Sequence, residues 1–510
     1  MSEGIDRARS VFGNAIDERT YQKACKSKED YARRFGDDSD AVYHLRAVGL
    51  PVIGEALGVR DLVMEGATET LDLHADARAQ PSAPLTLRAV EGANGAPVVV
   101  GNIRMGFGHY RISMAMASAA HAMGYTPYWL DLNSFPQTTC TKIISHQNEL
   151  YSMGSRWSQR YGLFNRLYWE PLNSEGFRKL SYNALDQKNS ELMVPVFRDI
   201  PKDVPYIGTH VWPSQAAVHA GLTHVVNAIP DNWPMALHLA EGSIHAVQTP
   251  SAYLGYKELR GMDKGRALKP MPKGSIRCTG HYIDHELVAN IGADCAARRA
   301  RLEGGEPVRY LLTVGGAGAQ QELFAAIVRH LLPYVRSGQA CLLVNVGDHA
   351  DVWEGLERSV DGLASIATRH FDAFEGTARL ASDALAGPLS GVHAFCDGDI
   401  FAAVYSTNLL MRACDVLVTK PSELAFYPVP KLMIHRVGGH EAWGAVRAQE
   451  VGDGTYEIDD TGEVLAMIDS FQADHSLVED MCDHIEAAGR IGIYDGAYEC
   501  VRLAVAGKGE

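Results

Sequence analysis

Three stretches of this 510-residue chain place glycines beside side chains that could do chemistry. The first, VVVGNIRMGFGHYRIS (98–113), puts His109 after Gly106 and Gly108. The glycines allow a sharp turn out of a strand, and the apolar spacing beyond them predicts a helix that begins near Tyr110. At the positive end of that helix His109 should stay neutral near pH 7, and a neutral imidazole can accept a proton from an alcohol. The alternative is a plain strand-to-helix turn with a solvent-facing histidine.

The second stretch is TVGGAGAQ (313–320), which leads from an apolar run into the helix-like QELFAAIVRHLL. Glycines at a helix start can direct free backbone N–H groups onto a phosphate, and here these are Gly315, Gly316 and Gly318. No Lys-Ser/Thr pair follows, so the pattern is not that of a P-loop ATPase. The alternative is a tight turn without a ligand.

The third stretch is CDVLVTKPSELAFYPVPKLMIHRVGGHEAWGAVRAQEVGDG (414–454). Its pattern predicts a strand that ends at Lys420, followed by a short helix with Ser422 as its N-cap and Glu423 in its first turn. A carboxylate such as Glu423 can accept hydrogen bonds from both hydroxyls of a ribose. The alternative is an ordinary first-turn acid that interacts with the helix dipole.

Residues 156–171, RWSQRYGLFNRLYWEP, hold three arginines and five aromatic residues but one acid. Arginine beside aromatic rings suits lipid headgroups or a lipid acceptor, which makes Arg156, Trp157 and Arg160 candidate acceptor-side residues. The alternative is a helix that packs its aromatic side chains into the protein.

Composition sets limits on what these stretches can do. The formal net charge of -15 argues against general nucleic-acid binding, and 46% hydrophobic with 21% charged residues suits a globular chain. The nine cysteines include no Cys-x-x-Cys pair, so we predict neither a zinc site nor a redox motif. No apolar run approaches the roughly 20 residues that span a bilayer, and MSEGIDRARS has no signal-peptide core. We expect a cytoplasmic protein that can contact the inner face of the membrane peripherally.

Short apolar runs alternate with helix-like windows from residue 98 onward, the rhythm of parallel sheets wrapped by helices. We predict an α/β fold with two tandem Rossmann-like domains, whose cleft would be a natural ligand site. The predicted parts are a helical N-terminal extension (1–90), an acceptor domain (91–288), a donor domain (289–475) and C-terminal helices (476–510). The polar stretch 290–307 is predicted to be a linker. The ten runs predicted as strands are VVVGNI, TPYWLDL, VPYIG, THVVNAI, SIHAVQ, VRYLLTV, ACLLVNV, GVHAF, CDVLVTK and PKLMIH.

In this order the motifs resemble those of the GT-B glycosyltransferases, above all the monogalactosyldiacylglycerol synthases and the peptidoglycan N-acetylglucosaminyltransferase branch. GFGH resembles the family's Gly-Gly-Gly-His turn, and HYRIS its continuation. TVGGAGAQ resembles the donor-domain glycine loop, VTKPSELAFYPVPKLMI the ribose-binding strand, and GGHEAWGA a Gly-Gln-Glu turn. The chain departs from the family at Phe107, where glycine is usual, and in a shortened loop between Lys420 and Glu423. Residues 367–390 look like an insertion.

The resemblance implies an inverting, metal-independent hexosyltransferase that uses a nucleotide-sugar, a UDP-sugar above all, as substrate and needs no cofactor. It implies His109 or Asp231 as the base, and acceptor-side positions around the GFGH turn that include Arg111. On the donor side it implies that Gly315–Gly318 face the diphosphate, that Glu423 holds the ribose with Lys420 and Ser422 beside it, and that His440 and Glu441 contact the sugar. It also implies that the 156–171 segment approaches a membrane.

Two alternatives remain open at this stage. One is a nucleotide-sugar 2-epimerase or hydrolase of the same fold. The other is a non-catalytic nucleotide-sugar-binding protein, which the shortened Lys420–Glu423 loop favours. The sequence leaves the sugar, the acceptor and the oligomeric state undetermined.

Overall fold

The computed structural model describes residues 6–65, 87, 95–169, 171–314, 320–436 and 438–507. Within these ranges it describes all side chains except those of residues 155, 156, 158–160, 162, 165, 173, 174 and 440. The chain forms two compact units, which we call the first unit (Met1–Tyr282 with Gly496–Glu510) and the second unit (Ile283–Asp495).

The strands are β1 (Ser10–Val11), β2 (Asn14–Ala15), β3 (Leu45–Gly49), β4 (Arg60–Met64), β5 (Pro97–Asn102), β6 (Thr126–Asp131), β7 (Tyr206–Gly208), β8 (Val225–Ala228), β9 (Ile244–Val247), β10 (Ile276–Cys278), β11 (Val308–Thr313), β12 (Ala340–Asn345), β13 (Ala367–Phe371), β14 (Gly391–Cys396), β15 (Val416–Thr419) and β16 (Lys431–Met433).

The α-helices are α1 (Glu18–Phe35), α2 (Ile53–Leu57), α3 (Phe107–Ala122), α4 (Thr139–Arg160), α5 (Gly162–Phe164), α6 (Leu180–Ser190), α7 (Val211–His219), α8 (Pro250–Lys257), α9 (His285–Ala289), α10 (Ile291–Glu303), α11 (Gln321–Arg336), α12 (Ala350–Ser359), α13 (Leu363–Ile366), α14 (Phe374–Ala386), α15 (Ile400–Ala413), α16 (Ala442–Val451), α17 (Thr461–Ala473), α18 (Ser476–Arg490) and α19 (Gly496–Ala506). Short 3₁₀ or π segments are Asn165–Trp169, Leu172–Gly176, Glu191–Phe197, Ala236–His238, Glu423–Phe426 and Gly439–Glu441.

The main sheet of the first unit has the order β10-β9-β8-β7-β5-β6-β4-β3. Every neighbouring pair in it is parallel except the antiparallel pair of β3 with β4. From β5 the chain runs first to β6 on one side and later to β7 on the other. The carboxyl ends of β5 and β7 therefore form the topological switch point, the place where open α/β sheets bind ligands.

The sheet of the second unit has the order β13-β14-β12-β11-β15-β16, and its neighbouring strands are all parallel. The chain leaves β11 for β12 on one side and returns to β15 on the other, so this switch point lies at the carboxyl ends of β11 and β15. The central strands are buried throughout their length, as expected where helices cover both faces of a parallel sheet.

These observations confirm the predicted α/β class with two Rossmann-like domains. Each of the ten apolar runs contains a strand. Among the described helices, none is both long and apolar enough to cross a membrane.

The N-terminal segment differs from the predicted helical extension. Among the described residues of this segment, α1 and the short α2 are helical, while β3 and β4 pair in register from Leu45↔Met64 to Gly49↔Arg60 and extend the main sheet of the first unit. Leu45, Leu62 and Met64 are buried in that sheet's core, so burial of apolar side chains stabilises the hairpin. Residues 1–5, 66–86 and 88–90 of the predicted extension lie outside the described part.

Three further segments differ from their predictions. The predicted linker 290–307 contains α10, whose Arg298 is buried and donates to the carbonyls of Cys414 and Met411. The apparent insertion at 367–390 supplies β13 and α14, and β13 forms an edge of the second sheet. The C-terminal helices are not a separate part, because α18 belongs to the second unit and α19 to the first.

Candidate functional site

The turn after β5 positions His109 at the switch point of the first unit. Gly106 has a φ of 77°, a left-handed value that a side chain would strain, and it lets the chain leave the strand and enter α3 at once. The helix begins at Phe107, so His109 lies in its first turn, as the sequence predicts. Gly108 lies inside the same turn.

Hydrogen bonding fixes the tautomer of His109. Its Nδ1 lies 2.8 Å from the carbonyl oxygen of Thr209, the residue that follows β7. A carbonyl only accepts, so Nδ1 carries the proton and Nε2 is the basic nitrogen of the neutral ring. Thr209 is itself held, because its hydroxyl lies 2.7 Å from Ser113 Oγ on α3.

A second histidine, which sequence reasoning missed, lies next to His109. His210 caps α7, where its Nδ1 accepts from the backbone N–H of Trp212 at 3.2 Å, and its ring meets that of His109 edge-on at 5.0 Å. Burial, together with the charges of His109 and His238, holds the pKa of His210 well below its usual range. It is therefore a neutral Nε2–H donor. Its place two residues after the run VPYIG, at the end of a predicted strand, could have identified it.

The third histidine of this edge holds the other base candidate. His238 ends the 3₁₀ segment Ala236–His238, and its Nε2 lies 3.4 Å from Oδ2 of Asp231. Its Nδ1 lies 2.6 Å from the hydroxyl of Tyr256 on α8. His238 and Tyr256 are buried, while Asp231 is partly exposed. The edge thus carries an imidazole base and a carboxylate base, each held by a neighbouring group.

Among the remaining acceptor-side candidates, Arg111 and Trp157 have described side chains. Arg111 is 3% exposed, because α3 is buried along most of its length and encloses the side chain. Arg156 and Arg160 lie near the end of α4, but their side chains are outside the described part. Trp157, also on α4, is 48% exposed, and its ring packs against Phe164 at 5.8 Å.

In the second unit, the switch point brings together two threonines at the ends of adjacent strands. Thr313 on β11 and Thr419 on β15 lie side by side, with 2.9 Å between their hydroxyl oxygens. The predicted phosphate-binding glycines Gly315, Gly316 and Gly318 follow directly, but they lie outside the described residues.

Two predicted donor-binding residues of the third stretch meet beside this point. Lys420, directly after β15, forms an ion pair with Glu441. The other carboxylate oxygen of Glu441 accepts from the backbone N–H of Gly438 at 3.1 Å. The pair is mostly buried, so a fixed positive charge stands at the end of β15 with its counter-charge beside it.

The short helix predicted after Lys420 is a 3₁₀ segment, Glu423–Phe426. Ser422 precedes it but makes no capping hydrogen bond through its side chain, contrary to the prediction. Glu423 opens the segment and is half-buried, and the side chain of His440 is outside the described part.

Among the described residues, one group of side chains has the spacing of a metal site: His435, Glu457 and Asp459. His435 Nδ1 already lies 2.7 Å from Asp459, and Arg436 forms an ion pair with Glu457. Both carboxylates thus already have a partner in the chain, and the expectation that donor binding needs no metal stays a prediction.

The chain matches two family models. Residues 10–258 match the family described as Domain of unknown function (DUF6937), and residues 271–505 match that described as Domain of unknown function (DUF6938). No curated protein sequence matches the chain.

Solved structures with a similar fold include three nucleotide-sugar or sugar-transfer proteins. UDP-GlcNAc 2-epimerase from Neisseria meningitidis bound to UDP-GlcNAc has a TM-score of 0.43 and 10% identity over 80% of this chain and 98% of its own. The UDP-forming α,α-trehalose-phosphate synthase from Burkholderia vietnamiensis has a TM-score of 0.39 and 12% identity over 81% and 99%. WaaG, a glycosyltransferase involved in lipopolysaccharide biosynthesis, has a TM-score of 0.39 and 12% identity over 81% and 100%.

Proposed function

We propose that this protein is an inverting glycosyltransferase that moves a sugar from a nucleoside-diphosphate donor, a UDP-sugar, to an acceptor hydroxyl. The second unit binds the donor, and the first unit supplies the base. The acceptor oxygen forms a bond to the anomeric carbon as the bond from that carbon to the diphosphate breaks. The diphosphate leaves with the electron pair, and the acceptor proton passes to the base.

The observation that carries the proposal is the meeting of Lys420 and Glu441 at the second switch point. Both residues belong to the third stretch, and Lys420 lies directly after β15, at the edge of the sheet where open α/β folds bind nucleotides. A lysine ammonium is a point charge suited to phosphate oxygens. We expect the diphosphate to contact Lys420 and the glycines that follow Thr313, which would balance its charge without a metal.

The first switch point supports the other half of the proposal. His109 offers Nε2 as its basic nitrogen because Nδ1 is bound to the Thr209 carbonyl, and Asp231 offers a carboxylate held by His238. Either group can take the proton of an acceptor alcohol in the transition state.

An exposed apolar surface on the first unit supports an acceptor at a lipid surface. We call it the 150–168 patch; its exposed members are Leu150, Tyr151, Met153, Trp157, Tyr161, Leu163, Leu167 and Tyr168. Leu163 and Leu167 are 72% and 68% exposed, and Arg166 between them is also exposed. Tryptophan, tyrosine and arginine around exposed leucines favour the interface of an anionic membrane. We therefore propose peripheral binding of this patch to an anionic bilayer.

Donor binding and turnover test the main proposal. We expect UDP to raise the melting temperature at millimolar concentration more than ADP, GDP or CDP, and proton NMR to show slow release of the sugar from UDP-sugars with the inverted anomer first. Turnover should persist in EDTA. Failure of every nucleoside diphosphate to bind would remove the donor assignment. Release of a 2-epimer would identify an epimerase, and tight binding without turnover a non-catalytic protein.

Vesicle flotation tests the patch. With phosphatidylcholine vesicles that contain about a third phosphatidylglycerol, we expect the wild type to float and the double variant Leu163→Glu/Leu167→Glu to remain unbound. The matched control is Ile491→Glu in the second unit, which is 77% exposed and should not change flotation. Equal flotation of the wild type and the double variant would show that the patch does not bind lipid.

A further inference from the structure

We infer that a crevice between the end of α1 and the first half of α4 binds a zwitterionic phosphate ester, in which a short arm joins a phosphate to a primary ammonium. The crevice has a volume of about 340 Å³ and lies in the first unit. None of its lining residues belongs to the proposed sugar-transfer site, so its ligand is independent of that function. The lining side chains that decide the chemistry are those of Arg34, Phe35, Lys142, Ser145, His146 and Glu149.

Arg34, near the end of α1, is held in place by two aromatic rings. Its Nη1 donates to Nε2 of His146 at 3.0 Å, and its guanidinium carbon lies 4.9 Å from the centre of the Phe35 ring. Because a guanidinium only donates, Nε2 accepts and the His146 ring is neutral. Burial and the charge of Arg34 lower the pKa of His146, against a smaller opposing effect of Glu149. The crevice therefore holds a positioned positive charge that these contacts leave unneutralised.

Three side chains on the α4 wall have open hydrogen-bonding groups. Among the described residues, no hydrogen bond or ion pair engages the side chain of Lys142, Ser145 or Glu149. Lys142 and Glu149 are seven residues apart, about 10 Å along the helix axis. The crevice thus presents two cations, Arg34 and Lys142, and one anion, Glu149, that are not paired with one another.

This set of charges selects the ligand. An inorganic phosphate would meet the carboxylate of Glu149, and a metal ion would meet the two cations, so part of the lining would repel either of them. A ligand that carries both charges finds an opposite charge for each. Its phosphate can accept from Arg34, Lys142 and Ser145, and its ammonium can donate to the carboxylate of Glu149. A phosphoethanolamine group has this composition.

The N-terminus of α4 is not the source of this affinity. The Thr138 hydroxyl caps the helix and accepts from the backbone N–H of Thr141 at 3.2 Å. The carboxylate of Asp38 accepts from the backbone N–H of Thr139 at 2.9 Å. A negative side chain thus already balances the positive end of the helix dipole, and the phosphate must be held by the side chains of the crevice.

The crevice and the 150–168 patch lie on one face of α4. Met153 and Trp157 follow Glu149 at steps of four residues, and both are exposed members of the patch. A phosphate and an ammonium on one short arm occur in the headgroup of phosphatidylethanolamine and, in solution, in glycerophosphoethanolamine. The shared helix face favours the lipid source, because a patch bound at a bilayer surface brings this face of α4 to the headgroup layer.

Calorimetric titration with soluble headgroups forms the first test. We expect glycerophosphoethanolamine to bind the wild type at millimolar concentration, because its partners are partly exposed to water. Glycerophosphocholine carries the same charges but no N–H donor, and it should bind roughly ten-fold more weakly. Arg34→Gln and Glu149→Gln should each weaken binding by about ten-fold. The matched controls are Arg19→Gln and Glu29→Gln, at exposed positions of α1 outside the crevice.

A charge reversal forms the second test. Glu149→Lys leaves three cations in the crevice, so we expect it to lose glycerophosphoethanolamine and to bind inorganic phosphate about ten-fold more tightly than the wild type does. Glu149 is exposed and makes no hydrogen bond, so this variant should melt at the wild-type temperature. Glu29→Lys is the control and should change the binding of neither ligand.

Vesicle flotation separates the two sources of the phosphoethanolamine group. We expect the wild type to bind phosphatidylcholine vesicles that contain about a third phosphatidylethanolamine more than pure phosphatidylcholine vesicles, and Glu149→Lys to lose this difference. If glycerophosphoethanolamine binds but phosphatidylethanolamine adds nothing to flotation, the ligand is a soluble ester. The Leu163→Glu/Leu167→Glu variant should fail to float yet still bind glycerophosphoethanolamine, since neither leucine lines the crevice.

Three results would overturn the inference. They are absence of glycerophosphoethanolamine binding by the wild type, binding that Arg34→Gln and Glu149→Gln leave unchanged, and inorganic phosphate that binds the wild type as tightly as the ester. Equal affinity for the ethanolamine and choline esters would show that Glu149 receives no N–H donor, and it would also overturn the inference. None of these measurements uses a nucleotide-sugar, so failure of the proposed transfer is recognised separately, by the UDP melting shift and the sugar-release NMR.

Discussion

The two units bury their acids in different ways. In the first unit burial dominates at Asp186 and Asp61, and it raises the pKa of the former to about 8 and, with the nearby charge of Asp131, that of the latter to about 7. In the second unit three buried acids form ion pairs, namely Asp294 with Arg412 at 3.0 Å, Asp415 with Arg301 at 2.6 Å and Asp453 with Lys431 at 2.8 Å. These acids of the second unit thus have a basic partner, whereas Asp186 and Asp61 of the first unit have pKa values raised toward neutrality by burial.

The switch points follow the same division. The first carries three histidines and a carboxylate, and hydrogen bonds set the proton positions of His109 and His210, which suits proton transfer. The second carries the Lys420–Glu441 pair at the end of β15, and the neighbouring strand β11 is followed in sequence by the glycines at 315, 316 and 318, which suits an anionic ligand. The predictions below test this contrast, beginning with the largest expected effect.

The largest expected loss of stability follows from removing one partner of a buried ion pair in the second unit. Lys431 is fully buried, binds Asp453 and also donates to the carbonyls of Tyr427 and Val429. Lys431→Met leaves the Asp453 charge without its partner, and we expect the free energy of unfolding to fall by about 3–5 kcal/mol in urea denaturation.

A double-mutant cycle controls this prediction. Lys431→Met/Asp453→Asn should be less unstable than the sum of its single variants, because no buried charge is left. Arg358→Met breaks the exposed pair with Glu354, and it should cost less than about 1 kcal/mol. A Lys431→Met loss as small as that of Arg358→Met would mean that the second unit does not depend on its buried charges.

The next effect concerns ligand binding. Lys420→Met removes the fixed positive charge at the end of β15, and we expect the Kd of UDP to rise by about 10- to 100-fold in calorimetric titration, the range for a charge-assisted contact. Lys273→Met, at an exposed position of the first unit, is the control and should leave the Kd unchanged. His109→Asn should also leave it unchanged, and a large effect of His109→Asn on UDP binding would contradict the division of roles.

Sequence patterns predicted more of the fold than of the candidate site. Buried parallel strands read as continuous apolar runs, which is why the ten strands β5–β9, β11, β12 and β14–β16 were predicted. The hairpin of β3 and β4 and the edge strand β13 were missed, since ATRHF and LRAVG are short and partly polar. The α10 segment was taken for a linker because it is rich in arginine, yet Arg298 is buried against backbone carbonyls that only the folded chain brings near.

The candidate site shows the same limit. Glycine turns and strand ends located His109, Lys420 and Glu441 from local pattern. No sequence motif marks His238 or Tyr256. The contacts of His238 with Asp231 and with Tyr256 depend on how the 3₁₀ segment Ala236–His238 packs against α8. Long-range contacts of this kind have no local sequence signal, so they became visible only in the folded chain.

A smaller effect tests whether a buried acid of the first unit keeps its proton. The buried Asp186 keeps its proton in the folded state up to about pH 8 but loses it near pH 4 when unfolded. The unfolded state therefore binds fewer protons in this window, and the stability of the first unit should fall as pH rises from 5 to 8, by at most about 1.4 kcal/mol per pH unit. Asp186→Asn should flatten this dependence and be more stable than the wild type by about 1–2 kcal/mol at pH 8.

This measurement must report the unfolding of the first unit separately from that of the second. Urea unfolding at each pH, followed by pulsed hydrogen exchange of α6 peptides at one labelling pH, reports the first unit alone. Asp203→Asn, at an exposed position, should keep the wild-type dependence. If Asp186→Asn keeps the wild-type slope, Asp186 is ionised in the folded protein and the contrast between the units is weaker than we describe.

The smallest effect has the opposite sign and lies in the second unit. His370 Nε2 lies 3.1 Å from His393 Nδ1, and Nε2 of His393 donates to the carbonyl of Ser390 at 3.0 Å, so His370 must donate to an unprotonated His393. Burial lowers the pKa of both rings. The folded state then binds fewer protons than the unfolded state below pH 6.5, and stability falls as pH drops.

Because the two rings are partly exposed, solvent screens the effect, and we expect the second unit to lose less than about 1 kcal/mol between pH 7 and pH 5. His370→Gln should reduce that loss, while His475→Gln, at a position without this contact, should not. Pulsed exchange of β13 and β14 peptides measures it. If the stability of α6 peptides falls with rising pH while that of β14 peptides rises in the same titration, the two units differ in the sign of their proton uptake on folding. Slopes of the same sign would show that both units respond to pH through the same kind of group.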